Sequence, residues 1–109
     1  MVTQSTALKI AQDYLREVRA LGVGVQKAVL FGSFAHNKQH EWSDIDLALF
    51  ADDFIGLAAL DEDRFRSLHL IPKFMAIEAH TFPTQRWEEG DPFVEEIKRM
   101  GMEVNWKGY

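Results

Sequence analysis

Along the first stretch of the chain, apolar residues recur at intervals of three and four, at Leu8, Ala11, Leu15, Val18 and Leu21. That period gathers them on one stripe of a helix. Thr3 or Ser5 can cap its start, since a short hydroxyl side chain accepts from the first unpaired backbone N–H groups, and Gly22 and Gly24 end it. The pattern then changes. Residues 26–31 and 45–50 are short runs rich in strand-forming side chains, each followed by breakers or acids, as in the strands of a mixed α/β domain. Over residues 54–70, Ile55, Leu57, Ala58, Leu60, Phe65, Leu68 and Leu70 are interleaved with Asp61, Glu62, Asp63, Arg64 and Arg66, which predicts a second helix with Asp61 and Asp63 on a solvated face. Pro72 breaks it. Residues 74–82 alternate, with Met75, Ile77 and Ala79 on one face and Phe74, Ala76, Glu78 and His80 on the other, so a third strand is expected there. A last helix follows, with Asp91 as N-cap, Pro92 at its first position and Gly101 where a left-handed C-cap belongs. Glu95 and Glu96 suit its positive end, and Lys98 and Arg99 its negative end. These elements describe an α+β fold, a mixed sheet of about three to five strands with helices mainly on one face.

Composition narrows what such a fold can serve. At 109 residues the chain is expected to be one domain, spanning 1–109, with room for one core but none for a second substrate domain. No internal repeat, low-complexity tract or linker interrupts it. A net charge of -5 argues against sequence-independent binding of DNA or RNA, which depends on clustered Lys and Arg. Cysteine is absent, so there is neither a disulfide framework nor a thiolate metal site, and the four histidines are too dispersed for a zinc cluster. With no long apolar run and no basic-then-apolar start, neither a membrane span nor a signal peptide is expected, and the protein is assigned to the cytoplasm.

Against that background the acids at Asp44 and Asp46 stand out. Inside a strand, residues two apart project to one side, so the two carboxylates share a face while Ile45 and Leu47 enter the core. Like charges at close range repel, and a hard divalent cation relieves that repulsion. Mg²⁺ fits the pattern, since it is commonly held by one or two carboxylates plus substrate phosphates. Upstream, Gly32 allows a tight turn after its strand, and Ser33 adds a hydroxyl beside free backbone N–H groups if residues 33–38 begin a short helix. A phosphate tail would suit that turn. Two ions placed roughly 3.5 to 4 Å apart want a third carboxylate. Glu78, an acid within an apolar strand, is the candidate, and it is long enough to serve as general base toward an incoming hydroxyl. Ser43, just before the second strand, is a further candidate for positioning the substrate.

Gly32-Ser33, then Asp44-Ile45-Asp46, then an acid on a later strand resembles the nucleotidyltransferase superfamily of DNA polymerase beta, and the short length resembles its minimal nucleotidyltransferase (MNT) branch. The resemblance covers roughly residues 26–82. It implies the nucleotidyltransferase fold, with Gly32 and Ser33 binding a nucleoside triphosphate such as ATP, and Asp44, Asp46 and Glu78 binding two Mg²⁺ ions. It also implies transfer of a nucleoside monophosphate to a hydroxyl with release of pyrophosphate. Minimal members often pair with a small helical HEPN protein as toxin and antitoxin, the MNT adenylylating a tyrosine of its partner. Many relatives read Gly-Ser-x-Ala-Arg-Gly, whereas Ala35 is followed here by His36 and Asn37, so a titratable side chain replaces a fixed positive charge.

Plainer readings apply to other residues. His36, His40, His69 and His80 are expected to be ordinary surface or partly buried side chains, with His80 sharing a face with Glu78. Trp42, Trp87, Trp106 and Tyr109 are expected to pack or cap, although the C-terminal Trp106-Lys107-Gly108-Tyr109 would suit a partner interface if exposed. Two functions then compete. One is a Mg²⁺-dependent nucleotidyltransferase acting on a hydroxyl of a partner protein. The other is a nucleotide-binding module that neutralises a partner by contact alone. The acid triad separates them, because a pure binder gains nothing from three converging carboxylates.

Overall fold

The computed structural model describes residues 2–36, 38 and 43–106. Helix α1 runs Gln4–Ala20, and Thr3 caps it by accepting from Thr6 N at 3.1 Å. It buries Ala11, Leu15 and Val18, as the three-four spacing predicts, together with Ala7 and Tyr14, while Leu8 is only partly buried. Leu21 instead lies half exposed beyond the helix, because the chain turns there and Gly22 takes φ +90°.

Four strands follow: β1 (Val25–Phe31), β2 (Ile45–Ala51), β3 (Ile77–Pro83) and the two-residue β4 (Met102–Glu103). Their spatial order is β3-β2-β1-β4. β1 is antiparallel to both neighbours, while β2 and β3 run parallel. Parallel strands need a crossover, and residues 52–76 supply it. The sheet is covered on both faces. Toward α1, Ile45, Leu47, Leu49, Ala28 and Leu30 join Tyr14, Leu15, Phe65 and Phe74 in the larger core. On the opposite face Val29, Ala48 and Phe50 pack against Val94 and Ile97 of α3 (Pro92–Met100). Burial on both faces explains why β2 reads as a continuous apolar run after Asp46.

The crossover differs from the long helix that the sequence predicts over 54–70. It holds one four-residue helix, α2 (Ala58–Asp61), and then short 3-10 turns at Glu62–Arg64, Arg66–Leu70 and Pro72–Phe74. The buried anchors Phe54, Phe65, Leu68 and Phe74 do not fall on one helical stripe, and Ile55, Leu57, Leu60 and Leu70 are exposed. Asp61 belongs to this departure as well. It is buried instead of solvated, and its carboxylate accepts from Ile55 N, Gly56 N and Thr81 Oγ1 at 3.0, 2.9 and 2.7 Å. A side chain that captures upstream backbone N–H groups fixes a turn, not a continuous helix. The third strand is also shorter than predicted. It starts at Ile77, because Phe74 is held in the preceding turn with its ring 5.4 Å from that of Tyr14.

In α3, Asp91 caps through Phe93 N at 2.9 Å, with Pro92 at the first position. Gly101 does not take the expected left-handed conformation. Its φ and ψ are -89° and 178°, and the need for glycine is steric: a Cβ would strike the Val29 side chain and lie 2.6 Å from Ile97 O. Trp106 is buried beneath the Arg19 guanidinium, which is 5.2 Å from its ring centroid, so it packs; Lys107, Gly108 and Tyr109 lie outside the described residues. Trp87 packs too, edge-on to Phe50 at 5.2 Å. Trp42, Asn37 and His40 likewise lie outside the described residues.

Candidate functional site

The parallel register sets the site. Asp46 is opposite Glu78 on β3 and, across the other edge of β2, opposite Phe31 at the end of β1. Even-numbered residues of β2 and β3 point away from α1, so the acids emerge where the second face of the sheet runs beyond the cover of α3. His80, two residues after Glu78, shares that face. Its Nε2 is 3.2 Å from Asp46 Oδ1 and 3.9 Å from Glu78 Oε1. One donor atom from each of the three side chains lies within 4.8 Å of the others. Asp46 and His80 are about a quarter to a third exposed, at 26% and 30%, and Glu78 is more open.

Gly32 closes the other side. With φ +75° it turns the chain directly over Asp46, and a Cβ there would be driven into the carboxylate oxygen Oδ2. Only glycine combines this conformation with so close an approach. Gly32–Phe34 forms a single 3-10 turn instead of the beginning of a longer helix. Phe34 anchors it in the core, and Gln4 Nε2 donates to Phe34 O and Ala35 O at 2.7 and 3.2 Å. Ser33 is partly buried at the turn, where Lys38 N donates to its carbonyl at 2.8 Å, and His36 is exposed.

Asp44 occupies a different position. It is exposed, one residue before β2 begins, and lies outside the compact Asp46–Glu78–His80 group. It lines a cleft of about 420 Å³ along β3, the edge strand, together with Glu78, Glu62, His69 and Met75. Glu78 therefore belongs to both the compact group and the cleft. Ser43 is partly buried beside Asp44. Behind the cleft, His69 Nε2 pairs with the buried Tyr14 hydroxyl at 2.8 Å and lies 3.5 Å from Glu62 Oε1. Burial, reinforced by the charge of Glu62, pushes the Tyr14 hydroxyl well above its ordinary pKa of 10.0, so it stays neutral.

His80 was marked in the sequence by the period-two face it shares with Glu78, while two further contributors were not singled out. Gln4 reaches the turn from thirty residues away and carries no local signal. Phe31 packs its ring 5.0 Å from His80 and fixes the side of the site.

An acid pair on adjacent parallel strands beneath a glycine turn offers places for a divalent cation and for a phosphate. The profile of the family described as Polymerase beta, Nucleotidyltransferase matches residues 12–79, more than half of the chain, and the chain belongs to that family. The match contains Gly32, Ser33, Asp44, Asp46 and Glu78, while His80 falls one residue beyond it. No curated protein matches the chain. Among the described residues no helix is long and apolar enough to cross a membrane.

Proposed function

We propose that the chain is a Mg²⁺-dependent nucleotidyltransferase that moves AMP from ATP to a hydroxyl on a partner protein. In this reading it is the antitoxin-like MNT of a HEPN/MNT pair, working in the cytoplasm, and its partner is a small helical HEPN protein. The observation that carries the reading is the register pairing of Asp46 with Glu78 directly beneath Gly32. Two carboxylates are placed side by side, Asp46 partly and Glu78 more fully exposed, an arrangement whose repulsion a divalent cation removes.

The donor set fits such a cation: oxygen atoms from two acids, partly exposed, on rigid strands, with a third acid in the adjoining cleft. Asp46 and Glu78 would hold the ions, with Asp44 reaching from the start of β2. Bound Mg²⁺ would neutralise the triphosphate and polarise the reacting phosphoryl group. The remaining chemistry falls to the chain itself. Gly32 brings the backbone close enough for its N–H groups and the Ser33 hydroxyl to hold phosphate oxygens. The acceptor oxygen forms a bond to the α-phosphorus, the bond from that phosphorus to the bridging oxygen breaks, and pyrophosphate leaves with the electron pair. Glu78, which lines the cleft from which an acceptor would enter, takes the hydroxyl proton.

The test is incubation with Mg²⁺, labelled ATP and the protein encoded beside this one. Label should appear on that partner and vanish with Asp46→Asn, while the circular dichroism spectrum is retained. Undiminished labelling by Asp46→Asn would overturn the mechanism. A tight complex without label would instead support the non-catalytic binding module.

A further inference from the structure

The compact group at the site is not made of acids alone. Its third member is an imidazole. Hard ions such as Mg²⁺ gain little from nitrogen, whereas Zn²⁺ and Co²⁺ favour imidazole together with carboxylate. We infer that His80 is a nitrogen ligand of the metal site, and that through it the site holds imidazole-accepting divalent ions, Zn²⁺ or Co²⁺, more firmly than its carboxylates alone would. This inference rests on the proposed reading of Asp46 and Glu78 as metal ligands.

Distances support it. Ligands about 2.1 Å from one ion lie no more than about 4.2 Å from each other. Two of the three separations already satisfy that limit, Asp46 Oδ1 to His80 Nε2 at 3.2 Å and Glu78 Oε1 to His80 Nε2 at 3.9 Å. The third, between the two carboxylates, is within 4.8 Å. A small rotation of the more exposed Glu78 side chain closes it.

The imidazole is also held in place. It stands on the same strand and face as Glu78, and its ring meets the Phe31 ring edge-on at 5.0 Å. Phe31 in turn contacts Phe93 of α3 at 6.0 Å, so an aromatic pair backs the histidine. A ring braced in this way loses little further freedom on ligating an ion. In the metal-free chain the same nitrogen serves as a hydrogen-bond donor to Asp46 Oδ1, since a carboxylate only accepts. On ligation the Nε2 lone pair turns to the ion and the ring hydrogen sits on Nδ1. The partial exposure of the ring leaves that second nitrogen able to reach water.

Binding of Zn²⁺, Co²⁺ and Mg²⁺ to the intact chain, measured by titration calorimetry without nucleotide, tests the assignment. His80→Ala and His80→Gln should each weaken Zn²⁺ and Co²⁺ by about 10- to 100-fold and Mg²⁺ by no more than about twofold. In the unmutated chain, Zn²⁺ should shift the ¹⁵N resonance of His80 Nε2, a readout that does not depend on how the variants fold. If both variants keep wild-type Zn²⁺ affinity while Asp46→Asn loses it, the metal site stands and the role of His80 is overturned. If Asp46→Asn binds every ion as the wild type does, the underlying reading fails as well. Absence of a saturable Zn²⁺ site on the wild-type chain would also overturn the inference.

Discussion

Asp61 and Asp46 belong to opposite sides of one sheet. Asp61, on the side covered by α1, is buried and accepts three hydrogen bonds within 3.0 Å, two from backbone N–H groups and one from Thr81. Asp46, on the other side, faces a second acid, Glu78, and a histidine beneath the Gly32 turn, and stays partly exposed. The first acid is complete, for its partners offset its desolvation and nothing more is needed from outside. The second is left unfinished: its partner in the fold is His80, and its neighbour is a like charge whose repulsion water screens in part and a cation would remove. An acid's function is therefore read from whether the fold has already supplied its partners, and burial alone does not decide it.

The sharpest break of this comparison is to remove charge from the unfinished side. Glu78→Gln should lower transfer by on the order of 10³-fold, and it should leave the thermal midpoint unchanged or slightly raised because repulsion with Asp46 is relieved. Labelled-nucleotide transfer and a melting curve on the same preparation measure both. A large fall in the midpoint would mean that Glu78 is a structural acid like Asp61. The converse experiment is Asp61→Ala. Leaving buried donors unpaired should cost about 3 kcal/mol, which corresponds to a midpoint lower by about 12 °C, with Mg²⁺ affinity unchanged. Gly32→Ala sits between the two classes. Strain at positive φ and displacement of the Asp46 carboxylate should together cut transfer by about 10²-fold, while the chain still folds.

The two sides were not equally legible. On the α1 side, the helix itself is written in Leu15, Val18 and Ala11, because one stripe of a surface helix must be apolar. Its polar members are hidden: Tyr14 carries no signal in the three-four stripe, and its hydroxyl is completed by His69, distant in sequence. Asp61 likewise looked solvated, since Ile55, Gly56 and Thr81 become its partners only once the crossover folds. Leu57, Leu60 and Leu70 misled in the other direction. They supplied a helical period over 54–70 yet are exposed, because the actual anchors, Phe54, Phe65 and Phe74, set the path of the chain. On the opposite side, chemistry was more visible than packing. An acid in an apolar strand is conspicuous whatever its neighbours, so Asp46 and Glu78 could be paired before their register was known. That His80 shares a face with Glu78 was legible from the alternation, whereas its contact with Asp46 needed the register of the two strands. Asp44 stands one residue before β2 and outside the compact group, so the strand register places Asp46 beside Glu78 without including it.

Smaller effects test whether the closed side is as self-sufficient as it looks. Tyr14→Phe deletes the hydroxyl paired with His69 and should cost about 1 kcal/mol. Its pH signature is more specific. Because burial and the charge of Glu62 raise the folded pKa of Tyr14 above 10.0, its contribution is fully present below pH 10.0 and declines as pH rises further, when the unfolded chain ionises first. The wild type should lose stability above that pH at up to about 1.4 kcal/mol per unit from this residue, and Tyr14→Phe should show a shallower decline in denaturant midpoints.

The smallest expected effect lies at Asp13, on the outward side of α1. Its carboxylate meets Lys9 at 2.9 Å, Arg16 at 2.8 Å and Lys73 of the crossover at 3.2 Å, so it joins the helix to the segment behind the cleft. The Lys9 hydrogen bond is the main cause of a pKa below the ordinary 3.8; desolvation opposes it, and Lys73 reinforces it. A depressed folded pKa stabilises above the unfolded value, and this contribution is lost as pH falls through the folded one. Lys9 and Lys73 are largely solvated, so screening keeps the gain small, and Asp13→Asn should cost less than about 1 kcal/mol at neutral pH. The difference between Asp13→Asn and wild type should shrink with added salt and close at acid pH. Asp61→Ala should keep most of its deficit in salt, since its cost comes from unpaired buried donors. Equal salt sensitivity of the two variants would show that Asp61 acts through charge, and the contrast between a finished acid and an unfinished one would then need another basis.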